Sequence, residues 1–202
     1  MEIAVIDNFF PDELAGSLLN EVDDYAWKFT RSDNVEDVYW TKQVYGVDYL
    51  ANRLAPSFLK YFTEPTVQKL WEYFSSKFNV STERLESCYL NLLTHGVEAH
   101  QHIDAAEDEA ITVICYVCKN WNSYWSGATN FYDGKFINNP ADNLFYSNEI
   151  CKSVLPRNNR IVVFRSNIIH SVTPLSKSFK GQRITLMFKI RNIKYKELIN
   201  AT

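Results

Sequence analysis

Two histidines and an aspartate in this chain are spaced so that they could hold a metal ion. The run His100-Gln101-His102-Ile103-Asp104 contains a His-x-Asp pair, and residues two apart on an extended strand project from the same face. His102 and Asp104 would then offer an imidazole nitrogen and a carboxylate oxygen side by side. A third ligand lies far downstream, where Ser166-Asn167-Ile168-Ile169-His170 ends in a histidine. Two nitrogens and one oxygen on one face of a metal leave the opposite positions open, a donor set that suits Fe(II). Arg183-Ile184-Thr185 follows; its arginine and threonine share a strand face and could together hold an anion.

Each residue has a competing explanation. His100 could itself ligate, but a His100/His102 pair lacks the carboxylate that Asp104 supplies, so His102 is favoured. His95 sits beside Gly96 at a turn and reads as a loop residue. Cys115 and Cys118 lie in an apolar, strand-like run where an odd separation sends their sulfurs to opposite faces, and no second cysteine pair follows at zinc spacing, so they read as core thiols. Arg183 could belong to a solvated basic tail with Lys189, Arg191, Lys194 and Lys196. It precedes the apolar stretch Ile184-Thr185-Leu186-Met187-Phe188, however, and an arginine opening such a strand points inward only with a carboxylate partner. Arg160 either caps the loop after Pro156 and pairs with an acidic side chain, or touches substrate. Trp121, Tyr124 and Trp125 are either packing or a substrate rim.

Residues distant in sequence must be brought together by the elements that carry them. Leu14, Leu18, Leu19, Val22, Tyr25 and Ala26 recur near helical spacing, which predicts a helix over about 11–28 with Asn8 or Asp12 at its start. Residues 49–61 and 64–78 are also predicted helical, the second with Val67, Leu70, Trp71, Phe74 and Phe78 on one stripe behind Glu64-Pro65. From about residue 85 the period shortens towards two. Residues 88–93, 111–118, 128–132, 160–165, 169–172 and 183–191 read as strands. Short strands with polar connectors favour an antiparallel barrel or jelly roll over a doubly wound sheet, and a rolled sheet can bring His102 and His170 to one pocket. The polar stretch Arg31 to Trp40 could form a lid over it.

Composition sets the outer bounds. At 202 residues with 46% hydrophobic and 22% charged residues, the chain suits one domain with a full core, spanning 1–202. A net charge of −3 gives no basic field for phosphates, which disfavours nucleic acid as a partner. The start Met1-Glu2-Ile3-Ala4-Val5-Ile6-Asp7 lacks the basic and apolar regions of a signal peptide, no apolar run reaches the length of a membrane span, and four cysteines form no disulfide framework. The expectation is a soluble cytoplasmic protein with reduced thiols.

Five segments in order resemble the Fe(II)- and 2-oxoglutarate-dependent dioxygenases, in the branch similar to prolyl 4-hydroxylases. They are Gly96 ahead of His102-Ile103-Asp104; Ser126-Gly127-Ala128-Thr129-Asn130-Phe131, like the family's Gly-Gly-x-Thr-x-Phe with its first glycine replaced; Pro156 with Asn159-Arg160-Ile161-Val162-Val163-Phe164; His170-Ser171-Val172-Thr173-Pro174; and Arg183 with Thr185. The resemblance implies an α+β protein with a double-stranded β-helix (jelly roll) core over 85–192, buttressed by a mainly helical 1–80. It implies Fe(II) on His102, Asp104 and His170, 2-oxoglutarate held at its far carboxylate by Arg183 and Thr185, and dioxygen as co-substrate, with ascorbate as a reductant. Tyr89 and Asn91, on the strand leading to the site, are further candidates to contact 2-oxoglutarate. The implied reaction converts 2-oxoglutarate to succinate and carbon dioxide while a substrate C–H bond is hydroxylated. Asp104 points to hydroxylation, because in halogenating relatives a small residue replaces that carboxylate. The implied substrate is a prolyl or other residue of a peptide or protein. A small metabolite or nucleobase is the alternative within the same chemistry, and a non-catalytic jelly-roll binding module the alternative outside it.

Overall fold

The computed structural model describes residues 2–31, 38–48, 57–135 and 146–200. Two antiparallel sheets face each other. The larger contains β1 (Ile3–Ile6), β10 (Ile161–Arg165), β7 (Ala110–Val117), β12 (Arg183–Arg191), β5 (Leu85–Leu93), β3 (Val38–Asp48) and β2 (Lys28–Arg31) in that spatial order, with β4 (Ser57–Leu59) paired to β3. The smaller runs β6 (Ala99–His102), β11 (His170–Val172), β8 (Thr129–Lys135), β9 (Tyr146–Val154). From β5 onward the chain passes back and forth between the two sheets, apart from the consecutive pair β8 and β9, which share the smaller one, as in a jelly roll.

The centre of the larger sheet is buried on both faces, and its sequences show it. All eight residues of β7 are buried, which is why Ala110–Val117 reads as a continuous apolar run instead of an alternating one. Its outer face packs under α1 (Asp12–Glu21) and α2 (Pro65–Phe78), where Trp71 and Phe74 meet Phe188 at ring-centroid distances of 5.3 and 5.7 Å. Its inner face meets the smaller sheet through Ile114, Tyr116, Val162, Phe164 and Met187 against Phe131 and Val154. The short α3 (Tyr195–Ile199) adds Leu198 to the outer core.

Helix α2 forms where the sequence predicts it. Pro65 fits the first helical position because no intrahelical partner awaits its missing N–H, and Asn79 ends the helix at φ 50° with its N–H donated to the Ser75 carbonyl. Other expectations need correction. Helix α1 stops at Glu21 rather than near residue 28: a short 3-10 turn follows over Val22–Asp24, and Trp27 Nε1 donates back to the Val22 carbonyl at 3.1 Å. The helix predicted over 49–61 is not one where it is described, since Ser57–Leu59 is a strand against Gly46–Asp48; residues 49–56 lie outside the described residues. The 1–80 segment is therefore not mainly helical, for it contributes four strands to the larger sheet. Within the predicted lid, residues 32–37 lie outside the described residues, while its flanks form the β2–β3 hairpin. Among the described residues no helix is long and apolar enough to cross a membrane.

Candidate active site

The smaller sheet supplies the two histidines. His102 ends β6, His170 opens β11, and the two are direct partners across the ladder, with ring centroids 4.2 Å apart. Asp104 follows β6 on a turn pinned at its backbone, where its N–H donates to the Ser166 carbonyl at 2.8 Å. One ligand atom from each of His102, Asp104 and His170 lies within 4.8 Å of the others. The His102 Nε2 to Asp104 Oδ1 distance is 3.7 Å and the His170 Nε2 to Asp104 Oδ2 distance 3.6 Å. Donors bonded at about 2.1 Å on one octahedral face lie about 3 Å apart, so a small inward movement would close the set on an ion.

The tautomers are fixed by the backbone. His102 Nδ1 faces its partner, the His100 carbonyl, at 2.8 Å, and His170 Nδ1 faces the Ile168 carbonyl at 3.0 Å. A carbonyl can only accept, so in each neutral ring Nδ1 carries the hydrogen and Nε2 keeps a lone pair for a metal. Burial, and next the neighbouring His102, push the His170 pKa down to about 3, so this imidazole is neutral at physiological pH. For Asp104, burial raises the carboxyl pKa, but the Lys189 ammonium and the two imidazoles outweigh it and hold the group well below the usual range. His102 keeps 38% of its side-chain surface exposed against 4% for His170, so the trio opens to solvent on the His102 side.

Strand β12 of the larger sheet carries the rest of the inner lining. Arg183, Thr185, Met187 and Lys189 face inward, while Ile184, Leu186, Phe188 and Ile190 face the helices. Arg183 is 3% exposed. Its Nε donates to the Gly127 carbonyl at 2.8 Å and its Nη2 to Thr129 Oγ1 at 2.9 Å, with the guanidinium 5.3 Å from the Tyr116 ring centre. Gly127 makes this approach possible: at φ +74° a Cβ there would lie 2.6 Å from Leu175 Cδ2 and 3.3 Å from Arg183 Cδ. All of these acceptors are neutral, and among the described residues no acidic side chain pairs with Arg183. A buried guanidinium is costly without a carboxylate, so Arg183 could take one brought by a ligand.

Thr185 and Asn91 are partners across β12 and β5, as are Met187 and Tyr89. Asn91 Oδ1 is buried with no hydrogen-bond partner among the described residues, and such an orphan calls for a missing group. Burial, and next the Asp104 carboxylate, push the Tyr89 phenol well above its ordinary pKa, leaving it protonated and able to donate. The donor set and the uncompensated cation thus fit a divalent metal and a dicarboxylate.

Other candidates are resolved by their contacts. His100 is exposed and outside the trio, and His95 is an exposed turn residue beside Gly96 at φ +76°. Arg160 binds Asp7 through Nε at 2.6 Å and Nη2 at 3.0 Å, so it ties the β10 start to the N-terminal segment. Trp121 and Trp125 pack on Phe179 at 4.9 and 5.1 Å. Cys115 and Cys118 join the outer and inner cores respectively, as the parity of β7 requires; burial pushes the Cys118 thiol up to about 11. Sequence reasoning missed Lys189, which reaches Asp104 Oδ2, and Thr112, whose hydroxyl donates to the same oxygen at 2.7 Å. The signal was available: counted in twos from Arg183, Lys189 falls on the inner face.

The two-sheet fold and the His-Asp-His trio define an oxygenase class, and the chain belongs to it: the 2OG-Fe(II) oxygenase superfamily matches residues 87–191, just over half the chain. Membership makes the protein an enzyme of the type that uses Fe(II), 2-oxoglutarate and dioxygen. Among solved structures it is similar to a prolyl-4-hydroxylase from Pseudomonas putida, at 16% identity and a TM-score of 0.58, covering 94% of this chain and 92% of that one. A prolyl hydroxylase from Trichoplax adhaerens, solved in complex with a hypoxia inducible factor oxygen degradation domain peptide fragment, matches at 16% identity and a TM-score of 0.64, covering 100% and 87%. The viral collagen prolyl hydroxylase of Paramecium Bursaria Chlorella virus-1, solved as a 2OG complex, matches at 13% identity and 0.57, covering 96% and 97%. No curated protein matches by sequence.

Proposed function

We propose that the protein hydroxylates a C–H bond of a peptide or protein, a prolyl residue first among the candidates. His102, Asp104 and His170 would hold Fe(II), and Arg183 with Thr185 would bind the far carboxylate of 2-oxoglutarate, flanked by Tyr89 and Asn91. Bound iron supplies the oxidising power that converts C–H to C–OH as 2-oxoglutarate and dioxygen give succinate and carbon dioxide. The chain's own residues do the positioning. The carbonyls of His100 and Ile168 keep both Nε2 lone pairs available, and Arg183 sets the depth of the co-substrate by a bidentate contact. The inner core of Ile114, Phe131 and Phe164 keeps water from the buried side. Residues 85–192 would be the catalytic core and 1–80 its support within one domain.

The observation that carries this reading is Arg183: a guanidinium 3% exposed, bonded only to neutral groups. A peptide substrate is supported by the likeness to the Trichoplax enzyme, whose structure holds one. The test is incubation of iron-loaded protein with 2-oxoglutarate, dioxygen and a panel of proline-containing peptides, following succinate release and a one-oxygen mass gain. Coupled succinate and peptide oxidation is expected. Succinate stimulated only by small molecules would move the substrate class, and absence of any 2-oxoglutarate binding would refute the co-substrate assignment.

A further inference from the structure

We infer that Lys189, together with Thr112, is a positioning residue that holds Asp104 Oδ2 so that the carboxylate offers only Oδ1 to the metal. This rests on the metal role proposed above for the trio. Lys189 on β12 is the direct partner of Thr112 on β7, so the ladder places both beside Asp104. The hydrogens can be counted. Thr112 has one hydroxyl hydrogen, and the ionised carboxylate can only accept, so that hydrogen goes to Oδ2 at 2.7 Å. Thr112 Oγ1 must then accept from Ser166 Oγ at 2.9 Å and from Lys189 Nζ at 3.2 Å. Lys189 Nζ also contacts Oδ2 directly. Two donors therefore occupy Oδ2, one of them charged, whereas among the described residues no donor reaches Oδ1.

The consequence concerns coordination number. A carboxylate free to rotate can chelate through both oxygens and consume a position needed by co-substrate or dioxygen. A carboxylate anchored at Oδ2 stays monodentate. The anchor is rigid, since Lys189 keeps only 13% of its side-chain surface exposed and Asp104 10%, and the Asp104 and Ala105 N–H groups both donate to the Ser166 carbonyl, at 2.8 and 3.2 Å. Partners of this kind orient metal ligands.

The sign of the effect separates positioning from mere proximity. An ammonium close to a dication repels it, so if Lys189 were only a neighbour, its removal would tighten metal binding or leave it unchanged. If it orients Asp104, removal weakens binding by about tenfold or more. The experiment titrates Co(II) into metal-stripped, full-length wild type, Lys189→Met, Lys189→Arg and Thr112→Val, reading affinity by calorimetry and coordination by the visible Co(II) bands. Weaker binding in Lys189→Met and Thr112→Val, with band intensities altered by a higher coordination number and recovery in Lys189→Arg, is the expected result. Wild-type or tighter affinity with unchanged bands would overturn the inference; should Lys189→Met not fold, Thr112→Val alone decides in the same sense. His170→Ala separates the two levels. If it keeps wild-type Co(II) affinity, the trio itself is refuted; if it loses binding while Lys189→Met and Thr112→Val do not, only the positioning role fails.

Discussion

Replacing Arg183 by methionine should separate binding from stability in an unusual direction. In the free protein the guanidinium is 3% exposed and meets only the Gly127 carbonyl, the Thr129 hydroxyl and the Tyr116 ring. Methionine fills similar volume without a charge to desolvate, and exchanging buried charge for apolar volume is often neutral or stabilising. Against that gain, the Gly127 carbonyl loses a donor, a loss of about 1–3 kcal/mol. Thr129 Oγ1 keeps Tyr116 OH at 2.7 Å. The two effects nearly cancel, so the stability change should stay within about 1 kcal/mol, or roughly 2–4 °C in Tm for a chain of this size. Binding has no such compensation. Losing a buried bidentate contact to a carboxylate removes about 3 kcal/mol, or roughly 150-fold in Kd. The assay pairs anaerobic calorimetry of 2-oxoglutarate with Mn(II)-loaded protein and thermal unfolding with and without the co-substrate. The expected variant melts near wild type and shows no co-substrate-induced rise in Tm. A Kd within threefold of wild type would refute the carboxylate role. A Tm loss above about 10 °C would mean instead that Arg183 is a structural tie whose neutral partners suffice.

The remaining expectations test other parts of the molecule. His170 has a folded pKa near 3 against about 6.5 unfolded, so below pH 6.5 the unfolded chain binds a proton that the folded state refuses. Metal-free protein should therefore lose up to about 1.4 kcal/mol of stability per pH unit between roughly pH 6 and 4, and Asp104, also depressed in the fold, adds to the loss below about pH 4. Denaturant titrations across this range should show a shallower slope in His170→Gln, and equal slopes would contradict the assignment. Ser126 sits at φ 60°, ψ −138°, a region suited to glycine, where the resembling segment has one. Ser126→Gly should raise stability by about 1 kcal/mol, less whatever the Ser126–Thr173 hydroxyl contact at 3.0 Å contributes; a clear loss would show that the contact dominates. Phe74, fully buried between Phe78, Trp71 and Phe188, should lose about 3–5 kcal/mol on truncation to alanine, measured by the same titrations.

Legibility in the sequence followed the locality of the signal. Helix α2 is self-contained, with a proline at its start, one apolar stripe and an asparagine at its end, and it forms as written. Strand β12 is legible because polar and apolar residues alternate from Arg183 to Arg191, broken only where Met187 takes an inward position. Strands β3 and β4 were illegible: β3 lies against β5 at Gly46, at φ +75° with Glu86 O so close that a Cβ would lie 2.0 Å from it, a contact from a strand far along the chain. The helical spacing runs on past the end of α1 because Tyr25 packs on the core from beyond the helix, while Ala26, which continues the pattern, is exposed. At the site, the His-x-Asp spacing and the distant histidine, three residues that the structure brings together, were readable as candidate ligands because ligand chemistry restricts residue types. Lys189 was not, because a lysine in a basic tail carries no mark of burial until strand parity is counted.

Strand β12 has one face turned to the inner lining with Arg183 and Lys189 and the other to the helices, and this makes it a ruler as well as a wall. Six steps of about 3.3 Å separate Arg183 from Lys189, roughly 20 Å of fixed spacing between the two cations. Substitution along the strand can be tolerated face by face, but a single inserted or deleted residue between them would turn Lys189 towards Trp71 and Phe74 and swing Phe188 into the polar pocket. Variation in length is thus confined to the loops on either side. Homologous chains should differ freely in the connection from β11 to β12 while keeping the count from the first cation to the second.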